Sequence, residues 1–209
     1  MARAKSLRAR NLSCRRGGRL IFEKLSFALK SGEALLLTGP NGVGKTTLLR
    51  GLAGLLPLEH GEIALSPATD QPLYEQLHYV GHLNGIKTSL SVAENLQFWC
   101  EYYGGPPLNE ERLETVLARF GLDPIAQLPG ALLSAGQKRK LALLRLAVAP
   151  RPLWLLDEPS VSLDRASTRH LRDMIAEHLE EGGMAVVTSH IPMSLAFAHR
   201  LDLGKRRAS

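Results

Sequence analysis

Residues 34–47 read ALLLTGPNGVGKTT, and the fold follows from how that stretch divides. Ala34–Thr38 is a short apolar run of strand type. Gly39-Pro40-Asn41-Gly42-Val43-Gly44-Lys45-Thr46-Thr47 then completes a phosphate-loop pattern, and helical periodicity runs from Thr46 to Leu56. Strand, glycine-rich turn and helix start stand in the order such a loop needs. Glycines let backbone N–H groups turn inward around a β-phosphate, the helix amino terminus adds its positive dipole end, and the Lys45 ammonium reaches the β- and γ-phosphates. Thr46 is expected to ligate Mg²⁺, and Thr47 to bond a phosphate oxygen. A bare glycine-rich turn would leave the lysine and threonines accidental.

Two further apolar runs lie downstream. Leu153–Leu156 (LWLL) delivers Asp157, Glu158 and Pro159, and Ala185–Thr188 (AVVT) precedes Ser189 and His190. Short, fully apolar strands separated by helices indicate a parallel sheet covered on both faces. Open sheets of this kind bind ligands at the carboxyl ends of their strands. Asp157 there suits Mg²⁺ through water, and Glu158 is placed to orient and deprotonate an attacking water. Between the first two strands, residues 91–149 read as mostly helical: Ser91 to Glu94 fits a capping box, Leu113, Val116, Leu117 and Phe120 keep helical spacing before Gly121, and 137–149 forms another helix ended by Pro150. Residues 57–80 read as a looser connector. The expectation is an α/β chain, one unit over 1–209, with a helical insertion at roughly 89–150.

Leu132–Lys140, LLSAGQKRK, has the small residues and helix entry of a second anion site without a suitably placed lysine. Ser134 and Gln137 satisfy a capping box, which by itself explains a helix start. Lys138, Arg139 and Lys140 argue for more, because exposed cations in a first turn oppose the helix dipole by roughly 0.3–1 kcal/mol each. A nearby anion reverses that sign. The nucleotide at Lys45 already has its own lysine and loop, so this segment is expected to face a nucleotide held by another subunit.

Composition sets outer bounds. The 209 residues are 44% hydrophobic, ample for a packed core. No run of 18 apolar residues occurs and the start is polar and basic, so the chain is expected in the cytosol, without a membrane span or signal peptide. Cys14 and Cys100 have no metal-type spacing and read as reduced structural thiols. Charge is uneven: Arg3, Lys5, Arg8, Arg10, Arg15, Arg16 and Arg19 stand in a segment without an acid, leaving 19 cations against 20 acids in the rest of the +6 chain. A basic arm for an anionic partner and a merely solvated terminus both fit that pattern.

With these motifs in hand, the chain resembles an ATP-binding subunit of an ABC transporter. Leu133-Ser134-Ala135-Gly136-Gln137 resembles the family signature, with Ala135 where glycine is commoner; Ser162-Leu163-Asp164 resembles the D-loop, and His190 the switch histidine. The resemblance implies a P-loop NTPase (RecA-like) parallel-sheet core, an antiparallel β subdomain and an ABC-specific helical subdomain. It also implies a homodimer in which each ATP lies between one phosphate loop and the partner's signature, with Mg²⁺ held by Thr46 and Asp157, Glu158 as base, and His190 contacting the γ-phosphate and the attacking water.

Two positions depart from the family pattern. Arg15 and Arg16 stand where an aromatic residue usually stacks on adenine, a role a guanidinium can also fill. Tyr79-Val80-Gly81-His82 carries histidine in place of the Q-loop glutamine, and histidine accepts a bond only when that nitrogen is neutral, so coupling is expected to be altered and pH-sensitive.

Gly81-His82-Leu83-Asn84-Gly85-Ile86-Lys87-Thr88 together with LSAGQ resembles the ATPase family of bacterial cytochrome c maturation, the haem exporters. This implies a peripheral subunit on the cytoplasmic face of the inner membrane, with integral-membrane partners and possible haem-handling proteins, and no nucleic acid. Among other readings, an ABC ATPase for another exported substrate or a soluble ABC ATPase of iron–sulphur cluster assembly remains the alternative, a DNA-repair type needs long coiled coils, and a small-molecule kinase leaves LSAGQ and His190 unused. Phe98, Trp99, Tyr102 and Tyr103 crowd one helical segment; some fill the core, and Trp99 is expected to face the membrane partner.

Overall fold

The computed structural model describes residues 6–189 and 195–204. Strands β3 (Ala34–Thr38), β5 (Leu77–Val80), β6 (Leu153–Asp157), β7 (Met184–Thr188) and β8 (His199–Asp202) form a parallel sheet in the order β5-β6-β7-β3-β8. A second, antiparallel sheet is ordered β2-β1-β4, from β1 (Ser6–Arg16), β2 (Arg19–Lys30) and β4 (His60–Ser66). Helices α1 (Lys45–Leu52), α2 (Val92–Tyr102), α3 (Glu110–Ala118), α4 (Ala135–Val148) and α5 (Arg165–Glu180) complete the regular structure. This is the expected arrangement of a parallel-sheet core, a separate antiparallel β unit and a helical part.

The apolar strands are sorted residue by residue between two cores, because successive side chains in a strand point to opposite faces. Leu153, Leu155, Met184, Val186, Leu35 and Leu37 join a core with α1 and the antiparallel sheet. Their neighbours Trp154, Leu156, Ala185, Val187 and Ala34 join a core with α2 to α5. Each fully buried leucine contributes about 1.5–3 kcal/mol through burial. Both expected capping boxes form: Ser91 accepts from the Glu94 N–H at 3.1 Å and Ser134 from the Gln137 N–H at 3.2 Å, while the Glu94 and Gln137 side chains bond back to the Ser91 and Ser134 N–H groups.

Three expectations are corrected. The basic amino-terminal segment is no free arm from residue 6 onward: β1 is the central strand of its sheet, burying Leu7, Ala9, Leu12 and Cys14 while Arg8 and Arg10 point outward. Residues 57–80 are more than a connector, since β4 pairs with β1 and β5 forms an edge of the parallel sheet. Trp99 is 4% exposed within the helical core, under the Arg145 guanidinium at 5.1 Å; it is Tyr102, 71% exposed, that faces outward. The same helix therefore splits its aromatic residues between core and surface.

His78 on β5 is fully buried, bonded through Nε2 to the Ala149 carbonyl at 2.7 Å and edge-on to the Tyr103 ring. Burial pulls its pKa from 6.5 down to about 3 against that bond, and Arg145, Arg151 and His178 lower it further.

Trp99→Ala is expected to destabilise the chain by about 3–5 kcal/mol in urea unfolding, as large-to-small core changes do. The neutral folded His78 binds fewer protons than its unfolded counterpart below pH 6.5, so stability falls as pH drops through that window. In His78→Gln the acid-side slope of unfolding free energy against pH is expected to flatten by up to about 1.4 kcal/mol per pH unit.

Candidate functional site

The phosphate loop spans the carboxyl end of β3 and the start of α1, beginning at Gly39 with α1 starting at Lys45. Gly44 is required there twice over. Its φ of +117° lies in the region L side chains avoid, and an added Cβ would stand 2.4 Å from Ile21 Cγ2 on β2. The antiparallel sheet thus closes against the loop at that glycine. Lys45 is 8% exposed and its ammonium donates to the carbonyls of Gly39 at 2.8 Å and Pro40 at 3.2 Å, which holds it over the loop. Pro40, Asn41, Gly42, Val43, Thr46 and Thr47 lie in the same turn and first helical residues.

Asp157 ends β6 and pairs in register with Thr188 at the end of β7. The Thr188 hydroxyl donates to Asp157 Oδ1 at 2.9 Å and accepts the Glu158 N–H at 2.8 Å. Asp157 Oδ2 is buried with no hydrogen-bond partner among the described residues, and His82 Nε2 approaches it to 3.7 Å. A buried carboxylate oxygen left available at a strand's carboxyl end is a donor that fits Mg²⁺, which takes few protein ligands beside substrate phosphates. Glu158 is 7% exposed with φ +46°, a left-handed conformation that costs on the order of 1–3 kcal/mol in a non-glycine residue.

A group not assigned from the sequence holds that backbone. Arg139, 4% exposed in the first turns of α4, donates to the carbonyls of Pro159 (3.0 Å), Gly81 (2.6 Å), Asp157 (3.1 Å) and Glu158 (2.8 Å) and to Asn84 Oδ1 (3.4 Å). Thr188 and Arg139 were both visible as anomalies in the sequence: a hydroxyl ending an apolar strand, and a cation placed against the helix dipole. The reading that all three cations face an incoming anion is corrected, because Arg139 points inward, Lys140 pairs with Asp164 at 3.0 Å and Lys138 reaches the Ala131 carbonyl at 3.5 Å.

Leu133, Ser134, Ala135, Gly136 and Gln137 lead into α4, and an added Cβ on Gly136 would stand 3.0 Å from the Ser162 carbonyl. The signature segment is therefore packed against the turn that ends in Asp164. Asp164 caps α5 by accepting from the Ser167 N–H at 2.7 Å; that bond and the Lys140 ammonium hold its carboxyl well below the usual range. Arg15 is tied to Glu59 at 3.4 Å. His190 lies outside the described residues. A broad groove lined by Gln76, Arg119, Arg151, Trp154 and His178 shares no residue with this site.

Residues 22–161 match the family described as ABC transporter. The chain belongs to that family. It is 48% identical over 200 residues to the cytochrome c biogenesis ATP-binding export protein CcmA of Paramagnetospirillum magneticum, covering 93% of this chain and 92% of that protein. The CcmA of Paracoccus denitrificans is 47% identical over 203 residues, covering 97% and 91%. Among solved structures, an ABC transporter ATP-binding subunit aligns with a TM-score of 0.80 at 26% identity over 88% of this chain and 79% of that one. An ATP-binding protein of Pyrococcus furiosus shares the fold with a TM-score of 0.82 at 24% identity, covering 96% and 98%.

Gly44→Ala forces its methyl group into Ile21 at a backbone angle alanine avoids, so it is expected to abolish measurable ATP binding in equilibrium titration with a fluorescent ATP analogue. Shortening the neighbour in Gly44→Ala/Ile21→Ala relieves the clash but not the backbone strain, and is expected to restore binding only in part.

Proposed function

We propose that this chain is the ATP-hydrolysing subunit of an ABC transporter complex, an export system serving cytochrome c biogenesis, with 1–209 acting as one ATP-binding unit and 89–150 as its helical insertion. The observation that carries the specific reading is 46–48% identity along nearly the whole length of several CcmA proteins. No helix among the described residues is long and apolar enough to cross a membrane, which agrees with a peripheral subunit working through integral-membrane partners at the cytoplasmic face of the inner membrane. Haem-handling proteins are the further partners of such a system.

In this reading the phosphate loop grips ATP through its inward N–H groups and the Lys45 ammonium. Thr46 and Asp157 hold Mg²⁺, which when bound neutralises charge on the phosphates. Glu158 accepts a proton from water as the water oxygen bonds to the γ-phosphorus; the bond from that phosphorus to the bridging oxygen breaks, and the electron pair leaves with ADP. His190 assists at the γ-phosphate. His82 stands 3.7 Å from Asp157, so whatever moves the Gly81–Asn84 loop is felt at the acidic pair. Each site is completed by the partner's Ser134 to Gln137, offering a helix amino terminus to the γ-phosphate, which makes two copies facing head to tail the working unit.

Glu158→Gln is expected to keep ATP affinity while turnover falls at least about 100-fold and a nucleotide-trapped dimer accumulates on size-exclusion chromatography. Lys45→Ala is expected to weaken ATP binding itself. Purification from native membranes tests the wider reading: integral-membrane partners and a retained Soret-absorbing pigment support it, whereas soluble iron–sulphur assembly proteins in their place overturn the export role.

A further inference from the structure

Arg139 spends its whole donor set on one small region. A guanidinium carries five N–H groups, and here Nε–H goes to Pro159, the Nη1 pair to Gly81 and Asn84, and the Nη2 pair to Asp157 and Glu158. Three of those acceptors are the consecutive carbonyls of Asp157, Glu158 and Pro159 leaving β6, centred on the left-handed Glu158. Two belong to the loop that carries His82. The donor itself rides on α4, two residues after Gln137. Arg145, a turn and a half further along the same helix, holds the Asn84 carbonyl at 2.9 Å, so two buried arginines bind the His82 loop to α4. Burial draws the Arg139 pKa down to about 10, with Arg145 lowering it further, and the group stays charged at neutral pH.

We propose that Arg139 is a positioning residue for ATP hydrolysis: it holds the Asp157-Glu158-Pro159 backbone in the strained conformation that aims the Glu158 carboxylate, and it makes that aim depend on the place of α4 and of the His82 loop. The proposal rests on the ATPase reading given above. Strain at Glu158 persists only where its surroundings over-determine it, and Arg139 on one side with Thr188 on the other supply that determination. The helix that offers its amino terminus to the partner's nucleotide is then strapped to the general base of the local one. A displacement of α4 or of the His82 loop reaches Glu158 through a single side chain. Lysine cannot substitute, because three donors on one nitrogen cannot span acceptors on two segments in the plane of the guanidinium.

The test is Arg139→Lys in the full chain, measured for kcat, KM for ATP, ATP affinity and thermal midpoint. Misplacing a reacting group by about 1 Å costs about 100-fold in rate. The expected result is a kcat lower by about 10- to 100-fold, with KM and ATP affinity within about 3-fold of the parent. Arg139→Lys combined with Glu158→Gln is expected still to close into the ATP-trapped dimer, since only aim is lost. Parental kcat in Arg139→Lys overturns the proposal, and so does loss of ATP affinity in step with kcat or failure of the double variant to close. If the lysine variant does not fold, Arg139→Met, which removes the buried charge at similar volume, takes its place with the same expected split. Unfolding of both variants assigns Arg139 to stability alone and also overturns the proposal. A parent unable to hydrolyse ATP overturns the ATPase reading and this inference together; an active parent beside an equally active variant overturns the inference only.

Discussion

Asp157 and Glu158 leave β6 side by side at 1% and 7% exposure, and removing a carboxylate from water costs several kcal/mol unless donors or cations replace the lost hydration. Much of the chain's polar architecture answers that requirement. Thr188 arrives from the neighbouring strand in register, Arg139 from α4 and His82 from the loop after β5. None of these alone balances two buried negative charges. In the ATPase reading proposed above, one oxygen, Asp157 Oδ2, has no hydrogen-bond donor among the described residues and is left for a divalent cation.

The parts of the fold legible in the sequence are those governed by local rules. Ala34–Thr38 is β3 to the residue, the glycine pattern falls on left-handed angles at Gly39, Gly42 and Gly44, and both capping boxes stand where Ser91 and Ser134 announced them. What stayed hidden depends on partners distant in the chain. Residues 60–66 become a strand by pairing with Ser6–Arg10 and Ser13, and no local signal names that partner. Cations at Arg8 and Arg10 looked like a charged tail because only sheet pairing shows the alternation with buried Leu7 and Ala9 to be the outer face of a strand.

The candidate site divides along the same line. The placement of Lys45, Asp157 and Glu158 at strand and helix ends is legible because adjacent residues in a strand-turn-helix frame fix it. Arg139 stands out in the sequence, but its conflict with the helix dipole is settled by backbone carbonyls of β6 and the β5 loop rather than by an incoming phosphate. Aromatic density draws Trp99 toward the surface, whereas Val92, Leu96, Trp99 and Cys100 mark a helical stripe at the spacing of a buried face. Periodicity carried more information there than composition.

The sheet order carries a consequence for biosynthesis. The strand that bears the phosphate loop is hydrogen-bonded on one side to β7 and on the other to β8, the last two strands in chain order. While the ribosome is still making the helices, both edges of β3 lack their eventual neighbours, and its leucines have no finished surface to cover them. A nucleotide bound to the phosphate loop at that stage lacks the Asp157, Glu158 and Thr188 side of its site, which is translated only with β6 and β7. Non-local closure of this kind is slow, which makes the interval before β7 emerges the period when a chaperone has most to protect.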